Sequence, residues 1–285
     1  MSAQLRSSIE EIVGQPLRTM EPLSGGCVGE VYCVQLRDGT RLVAKVDNRN
    51  GAQLACEGRM LGYLRQHTTL PVPTVVHCSD SLLLMEFLDG ESRFPPPAQR
   101  HAAELLAALH DISADSFGFD YDTLIGGLHQ PNPQTSSWLA FFGEQRLLYM
   151  GRQAVQSGRM SSQMLGRLEK FTERLSDWLE EPERPSLIHG DVWTTNVLAQ
   201  GGRITGFIDP AIYFAHAEIE LAFTTLFGTF DTAFFKRYHE LRPIAPDFME
   251  VRRDIYNLYP LLVHVRLFGG GYVQSVDKTL GRLGY

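Results

Sequence analysis

His189-Gly190-Asp191-Val192-Trp193-Thr194-Thr195-Asn196, followed by Ile208-Asp209-Pro210, is the stretch from which the rest of the chain can be read. Asp191 and Asn196 stand in the relation D-x-x-x-x-N. That spacing lets one carboxylate face an acceptor hydroxyl while the amide oxygen reaches a metal. Asp209 closes the β-rich apolar segment Ile204 to Ile208, a rigid place from which a carboxylate holds magnesium between phosphate oxygens. Singly, each of these residues reads as a cap or a turn. In this order, on a loop and at a strand end, they point to phosphoryl transfer, which needs a base for a hydroxyl proton and cations around a triphosphate.

Working upstream, the other parts of such a centre occur in sequence. Ser24-Gly25-Gly26-Cys27-Val28-Gly29 lies between two apolar segments, where Gly25, Gly26, Cys27 and Val28 can bring backbone amides against phosphates; alone it reads equally well as a hairpin turn. It lacks the pattern GxxxxGK[ST], which disfavours a P-loop nucleotide site. Lys45 ends the strand Val43-Ala44-Lys45-Val46, and Glu57 lies in the following helical segment, so the two can form a fixed ion pair that supports a nucleotide phosphate. Met85, Glu86, Phe87 and Leu88 fall where two lobes would join, and their backbone is expected to meet an adenine. Cys27, inside the candidate phosphate loop, is a candidate for redox control, with a small loop filler as the plainer reading.

The surrounding pattern predicts an α+β, bilobal architecture. Val31 to Leu36, the turn Asp38-Gly39 and Arg41 to Val46 read as strand, turn, strand; Leu54 to Leu64 has helical spacing; Leu82 to Phe87 is a buried-strand run. Residues 1–88 are therefore expected to form a small antiparallel sheet lobe carrying one helix. Residues 89–285 are expected to form a larger, mainly helical lobe, with a helix behind Pro95-Pro96-Pro97 that ends near His110 and another along Met164 to Leu179.

At 285 residues and 44% hydrophobic, the chain can bury a substantial core. A formal net charge of −7 and the lack of a Lys/Arg cluster argue against nucleic-acid binding. The four cysteines form no CxxC pair and no zinc spacing, which fits reduced thiols in a cytoplasmic protein. No run approaches the roughly 20 apolar residues of a membrane span. There is no GxSxG elbow, and His110 and His264 lie in helical patterns as core or surface groups, while His189 orders the candidate catalytic loop.

On these motifs the sequence resembles the fructosamine kinase family, related to the aminoglycoside and choline kinases, over nearly its whole length. His189 to Asn196 resembles the family's HGDLWSGN; Phe207-Ile208-Asp209-Pro210-Ala211 with Tyr213 resembles FDPAxY; Leu226 to Phe230 matches as well. So do Ile125-Gly126 through Trp138 and Phe141-Phe142 to Arg146, and Tyr256-Asn257-Leu258-Tyr259 to Phe268-Gly269-Gly270-Gly271-Tyr272. The resemblance implies ATP-dependent, magnesium-assisted phosphorylation of the sugar moiety of ketosamines, small or protein-bound, at the 3-hydroxyl, which makes the adduct break down and free its amine. It implies Asp191 as base, Asn196 and Asp209 as magnesium ligands, Lys45 with Glu57 on the phosphates, and Trp193 and Glu218 at the acceptor. A packed core role is the alternative for Trp193.

The chain departs from the family at Val192 for Leu and Thr194-Thr195 for Ser-Gly. Where the family has Gly-Asp-Arg-Glu-x-Asp-Leu-Ala it reads Ala215-His216-Ala217-Glu218-Ile219-Glu220-Leu221-Ala222, which removes an Arg and lengthens an Asp to Glu220. These changes single out acceptor specificity as the place of divergence. A related kinase for another small hydroxyl compound and a non-catalytic nucleotide-binding module stand as alternatives, the second opposed by the joint presence of Lys45, Asp191, Asn196 and Asp209.

Overall fold

The computed structural model describes residues 2–23, 29–49 and 53–285. Its first part runs α1 (Ser2–Val13), β1 (Leu17–Pro22), β2 (Glu30–Leu36), β3 (Arg41–Val46), α2 (Leu54–His67), β4 (Val75–Cys78) and β5 (Leu82–Glu86). The strands form one five-stranded antiparallel sheet in the order β1-β2-β3-β5-β4. The β2–β3 hairpin closes where predicted, because Asp38 Oδ1 accepts the Thr40 N–H at 2.9 Å and stiffens the turn.

Four consecutive apolar residues in β5 explain how the sheet is covered. Side chains alternate across a strand, so Leu82 and Leu84 join one buried cluster with Ile9, Leu17 and Val34, while Leu83 and Met85 join another with Leu54, Leu61 and Leu64. The first cluster lies under α1 and the second under α2. The expected single helix is thus accompanied by α1, whose Ile9 is fully buried. Edge strand β1 mixes exposed polar residues with few apolar ones, β4 is only four residues long with Val76 exposed, and neither gives an alternation clear enough to read from sequence.

The second part contains α3 (Pro96–His110), the hairpin β6 (Thr123–Ile125) and β7 (Leu128–Gln130), α4 (Trp138–Phe141), α5 (Tyr149–Gln156) and α6 (Ser162–Thr172). A π-helical segment, Phe142–Leu148, joins α4 to α5. Then follow β8 (Ser186–Ile188), β9 (Val197–Gln200), β10 (Arg203–Phe207), β11 (Tyr213–Ala215), α7 (Glu218–Leu226), α8 (Thr232–Leu241), α9 (Arg253–Tyr256), α10 (Leu258–Phe268) and α11 (Gly271–Arg282). Proline occupies the first positions of α3, where its missing N–H leaves no bond unmade. The helix expected along Met164 to Leu179 stops at Thr172. Its stripe continues through a tighter turn over Leu175–Asp177, which keeps Leu175 and Leu179 on the core.

The β9–β10 hairpin binds the two parts together. Glu91 and Ala199 exchange backbone hydrogen bonds of 2.9 Å, and the Phe207 N–H donates to Pro71 O at 2.8 Å. This anchors the end of β10, and hence Asp209, opposite β3. Among the described residues no helix is long and apolar enough to cross a membrane.

Candidate active site

Alternation along β3 directs Leu42, Ala44 and Val46 into the cluster under α1 and turns Lys45 to the α2 side. Glu57 stands in the first turn of α2, where the helix dipole favours a carboxylate. Lys45 Nζ donates to Glu57 Oε1 at 2.7 Å and also to Asp209 Oδ1, joining residues that lie 164 positions apart. Burial works against the lysine's charge, but Asp209 and then Glu57 outweigh it and raise its pKa. Burial also raises the pKa of Glu57, and Asp209 adds to the effect against the pull of Lys45. One ammonium facing two carboxylates leaves surplus negative charge, a setting that welcomes a further cation.

The second half of the site is the loop after β8. Asn196 Nδ2 donates to Asp191 Oδ2 at 2.8 Å and to the Asp191 carbonyl at 3.0 Å, so the five-residue spacing closes on itself. With both amide hydrogens spent there, Asn196 retains its side-chain oxygen for a ligand. The loop is laced to the Asp209 segment by two backbone bonds, Ile208 N–H to Asn196 O at 3.0 Å and Ala211 N–H to His189 O at 2.7 Å. Asp209 itself sits at φ 55°, a left-handed conformation that costs a non-glycine residue about 1 kcal/mol and that recurs at functional sites. Burial, with the Asp209 charge nearby, pushes the Asp191 carboxyl well above the usual carboxylate range, and the Asn196 hydrogen bond only partly offsets this.

Two glycines are fixed by close approach. At Gly190, φ is 86° and a Cβ would fall 2.1 Å from Ala211 O; at Gly29, φ is 72° and a Cβ would fall 2.2 Å from Val46 O, one residue beyond Lys45. Gly29 is the described end of the glycine segment. Gly25, Gly26, Cys27 and Val28, including the redox reading of Cys27, lie outside the described residues.

Met85 is buried on β5 next to β3, and Glu86 is exposed with its carboxylate on Thr74. Phe87 lies under the Arg41 guanidinium, 4.4 Å from its ring centre, and Leu88 packs on Gly206 of β10. Trp193 is half-buried and meets Phe227 with ring centres 5.3 Å apart, so it is a lining residue of the loop and not a core tryptophan. Glu218 has a different setting. It is 5% exposed and gives both oxygens to Arg252, at 2.8 Å each, a structural ion pair in place of a free acceptor contact. The guanidinium missing at Ala217 is thus supplied to this region by Arg252, from the π-helical segment Phe248–Arg252.

The sequence named Glu220 and Arg146 without showing what they bind. Glu220, fully buried, accepts the Gly190 N–H at 2.6 Å and bonds His110 Nε2 at 2.9 Å, while His110 Nδ1 meets the Tyr238 hydroxyl at 2.7 Å. Burial pushes Glu220 up, yet His110 and the Gly190 N–H more than offset it and lower its pKa. Of the two expected settings, core or surface, His110 takes the core one. Arg146, also fully buried, lies 3.8 Å over the Tyr213 ring and donates to Pro131 O and Asn132 Oδ1. The available signal was a polar residue on an apolar helical stripe, which implies a buried partner without naming it.

Residues 1–284 match the family model described as fructosamine kinase. A probable ketoamine kinase of Synechocystis sp. is 33% identical over 285 residues, covering 97% of this chain and 94% of the relative. A crystal structure from Thermobifida fusca, provisionally named a fructosamine-3-kinase, superposes with a TM-score of 0.85 at 31% identity, over 99% of each chain. An ADP-bound aminoglycoside phosphotransferase superposes with a TM-score of 0.66 at 16% identity, over 98% of this chain and 97% of its own, a likeness of fold alone. The protein-kinase-like α+β fold expected from the sequence is the fold found.

Proposed function

The chain belongs to the fructosamine kinase family and is a phosphotransferase; we propose that it uses ATP to phosphorylate the 3-hydroxyl of the sugar moiety of ketosamines. The observation that carries this reading is the convergence of Lys45, Glu57 and Asp209 opposite the closed Asp191–Asn196 loop. A phosphate on the carbon beside the ketosamine carbonyl is a good leaving group, so the product would break down and free the amine.

In this assignment Asp191, with its raised pKa, accepts the hydroxyl proton as the oxygen attacks the γ-phosphorus and ADP departs. Lys45, steadied by Glu57, binds phosphate oxygens, and the backbone of Met85 to Leu88 meets the adenine. The Trp193 face packs on the sugar. The residues present fit magnesium: the Asp209 carboxylate and the Asn196 amide oxygen, which accepts only a long 3.5 Å bond from the Thr195 hydroxyl, are hard donors beside surplus negative charge. Among the described residues no three His, Cys, Asp or Glu side chains gather as a metal cluster, so phosphate and water oxygens would complete the shell. When bound, the ion neutralises charge on the phosphates.

The test is an ATP-consumption assay across fructosamines, ribulosamines, aminoglycosides and choline-like alcohols, with the phosphorylated position assigned by NMR. Turnover of a ketosamine at its 3-hydroxyl is expected, with kcat in Asp191→Asn lower by roughly 1,000-fold, within the usual range for losing a general base. Unimpaired turnover in Asp191→Asn would refute the base assignment, and inertness toward every ketosamine would refute the substrate class.

A further inference from the structure

An unbroken run of rings leads away from the catalytic loop to the surface. Trp193 meets Phe227 at 5.3 Å between ring centres, Phe227 meets His264 at 5.0 Å, and His264 meets Tyr272 at 4.8 Å and Phe268 at 5.8 Å. The Thr194 and Thr229 hydroxyls, 3.3 Å apart, fasten the Phe227 segment to the same loop. Phe268 at the far end is 55% exposed, the most exposed large apolar side chain among the described residues. Phe268 is continuous with the half-buried rings of Phe227, His264 and Tyr272, and a contiguous apolar surface of this kind is what a ligand groove presents.

The chemistry of this wall is specific. His264 Nδ1 lies 2.7 Å from the Pro260 carbonyl and so carries the proton, leaving Nε2 as an acceptor. Burial pushes the imidazole pKa down, keeping it neutral. The wall therefore offers ring faces and one lone pair, which suit an ammonium and an apolar group, while the Arg159 guanidinium at its far end is engaged by the Leu267 carbonyl.

Resting on the proposed ketosamine activity, the geometry points to the Phe227–His264–Phe268–Tyr272 wall as the subsite for the acceptor's amine portion, selecting ketosamines whose nitrogen carries an apolar substituent. With the sugar on Trp193, a substituent leaving its nitrogen can follow the rings toward solvent through His264, since the other neighbour of Phe227, Phe223, is buried in the core. Its ammonium meets Phe227 and His264, and its carbon chain covers Phe268 and Tyr272. Each methylene laid on the wall is removed from water and strengthens binding without touching the reacting atoms, so the preference resides in KM and not in kcat.

The experiment measures kcat and KM for 1-deoxy-1-aminofructoses bearing methyl, butyl, hexyl or benzyl on nitrogen. The hexyl and benzyl compounds should exceed methyl in kcat/KM by about tenfold through KM. In Phe268→Ala and in Tyr272→Ala the hexyl-to-methyl ratio should drop toward one, whereas Phe268→Leu, which keeps an apolar surface, should retain most of it. A flat series in the parent enzyme, or a ratio unchanged in both alanine variants, overturns the subsite while leaving the ketosamine activity standing. No turnover of any member overturns the activity, and the subsite with it.

Discussion

Replacing Glu220 by alanine would take the acceptor from two donors in a region with no solvent access: the Gly190 N–H at 2.6 Å and His110 Nε2 at 2.9 Å. Each buried donor left unsatisfied costs roughly 1–3 kcal/mol. Two of them together cost about 4 kcal/mol, which for a domain of this size corresponds to a fall in Tm of roughly 8–16 °C. The effect should also reach the chemistry. Gly190 immediately precedes Asp191, the proposed base, and a displacement of about 1 Å at a reacting group lowers turnover by roughly 100-fold.

Glu220 touches no reacting atom and acts as a positioning residue, so kcat should fall while the KM for ATP changes by less than about threefold, as expected when only transition-state alignment is lost. Glu220→Gln should be milder, at about 1–2 kcal/mol. Its oxygen still accepts from Gly190, and His110 can change tautomer to accept from the amide. Urea unfolding followed by far-UV circular dichroism gives the stability, and coupled ADP detection gives the rates. Should Glu220→Ala unfold within about 1 kcal/mol of the parent and keep kcat within about threefold, the account of this buried contact would be wrong.

Gly190→Ala should destabilise by about 3 kcal/mol or more, because a positive φ and a Cβ 2.1 Å from Ala211 O cannot both be relieved without moving backbone; an unchanged urea midpoint would contradict the close approach. Burial holds the His216 pKa down at about 4, against 6.5 in the unfolded chain. The folded state thus binds fewer protons than the unfolded one, and stability present above about pH 6.5 is lost as the pH falls toward 4. The loss is at most roughly 3 kcal/mol, and less to the extent that the ring edge is exposed. Thermal melts from pH 7 to pH 4 should show this slope, and His216→Gln should flatten it.

The sequence carried those features that are local in the chain. The Asp191 to Asn196 spacing closes through two hydrogen bonds within one loop, the Asp38-Gly39 turn sets the hairpin that presents Lys45, and the short apolar run Leu82 to Met85 reads as a strand and is one, covered on both faces. Each rests on bond geometry or side-chain periodicity over a few residues, so residue type and order suffice to determine it.

Which distant groups meet was decided by the tertiary structure. Lys45 could have paired with any nearby carboxylate, yet packing gives it both Glu57 and Asp209. Glu218 has the chemistry of a ligand contact, but Arg252 takes both its oxygens; Glu220 gave no local sign of its partners, Gly190 and His110. A carboxylate's charge is set by its residue type, whereas its partner depends on which segments the core brings into hydrogen-bond range, at the expense of closing loops more than a hundred residues long for Lys45 to Asp209 and for His110 to Glu220. Amino-acid order thus determined the parts of the proposed phosphotransfer centre, and the packing of the two halves of the fold around the β9–β10 hairpin decided their alignment.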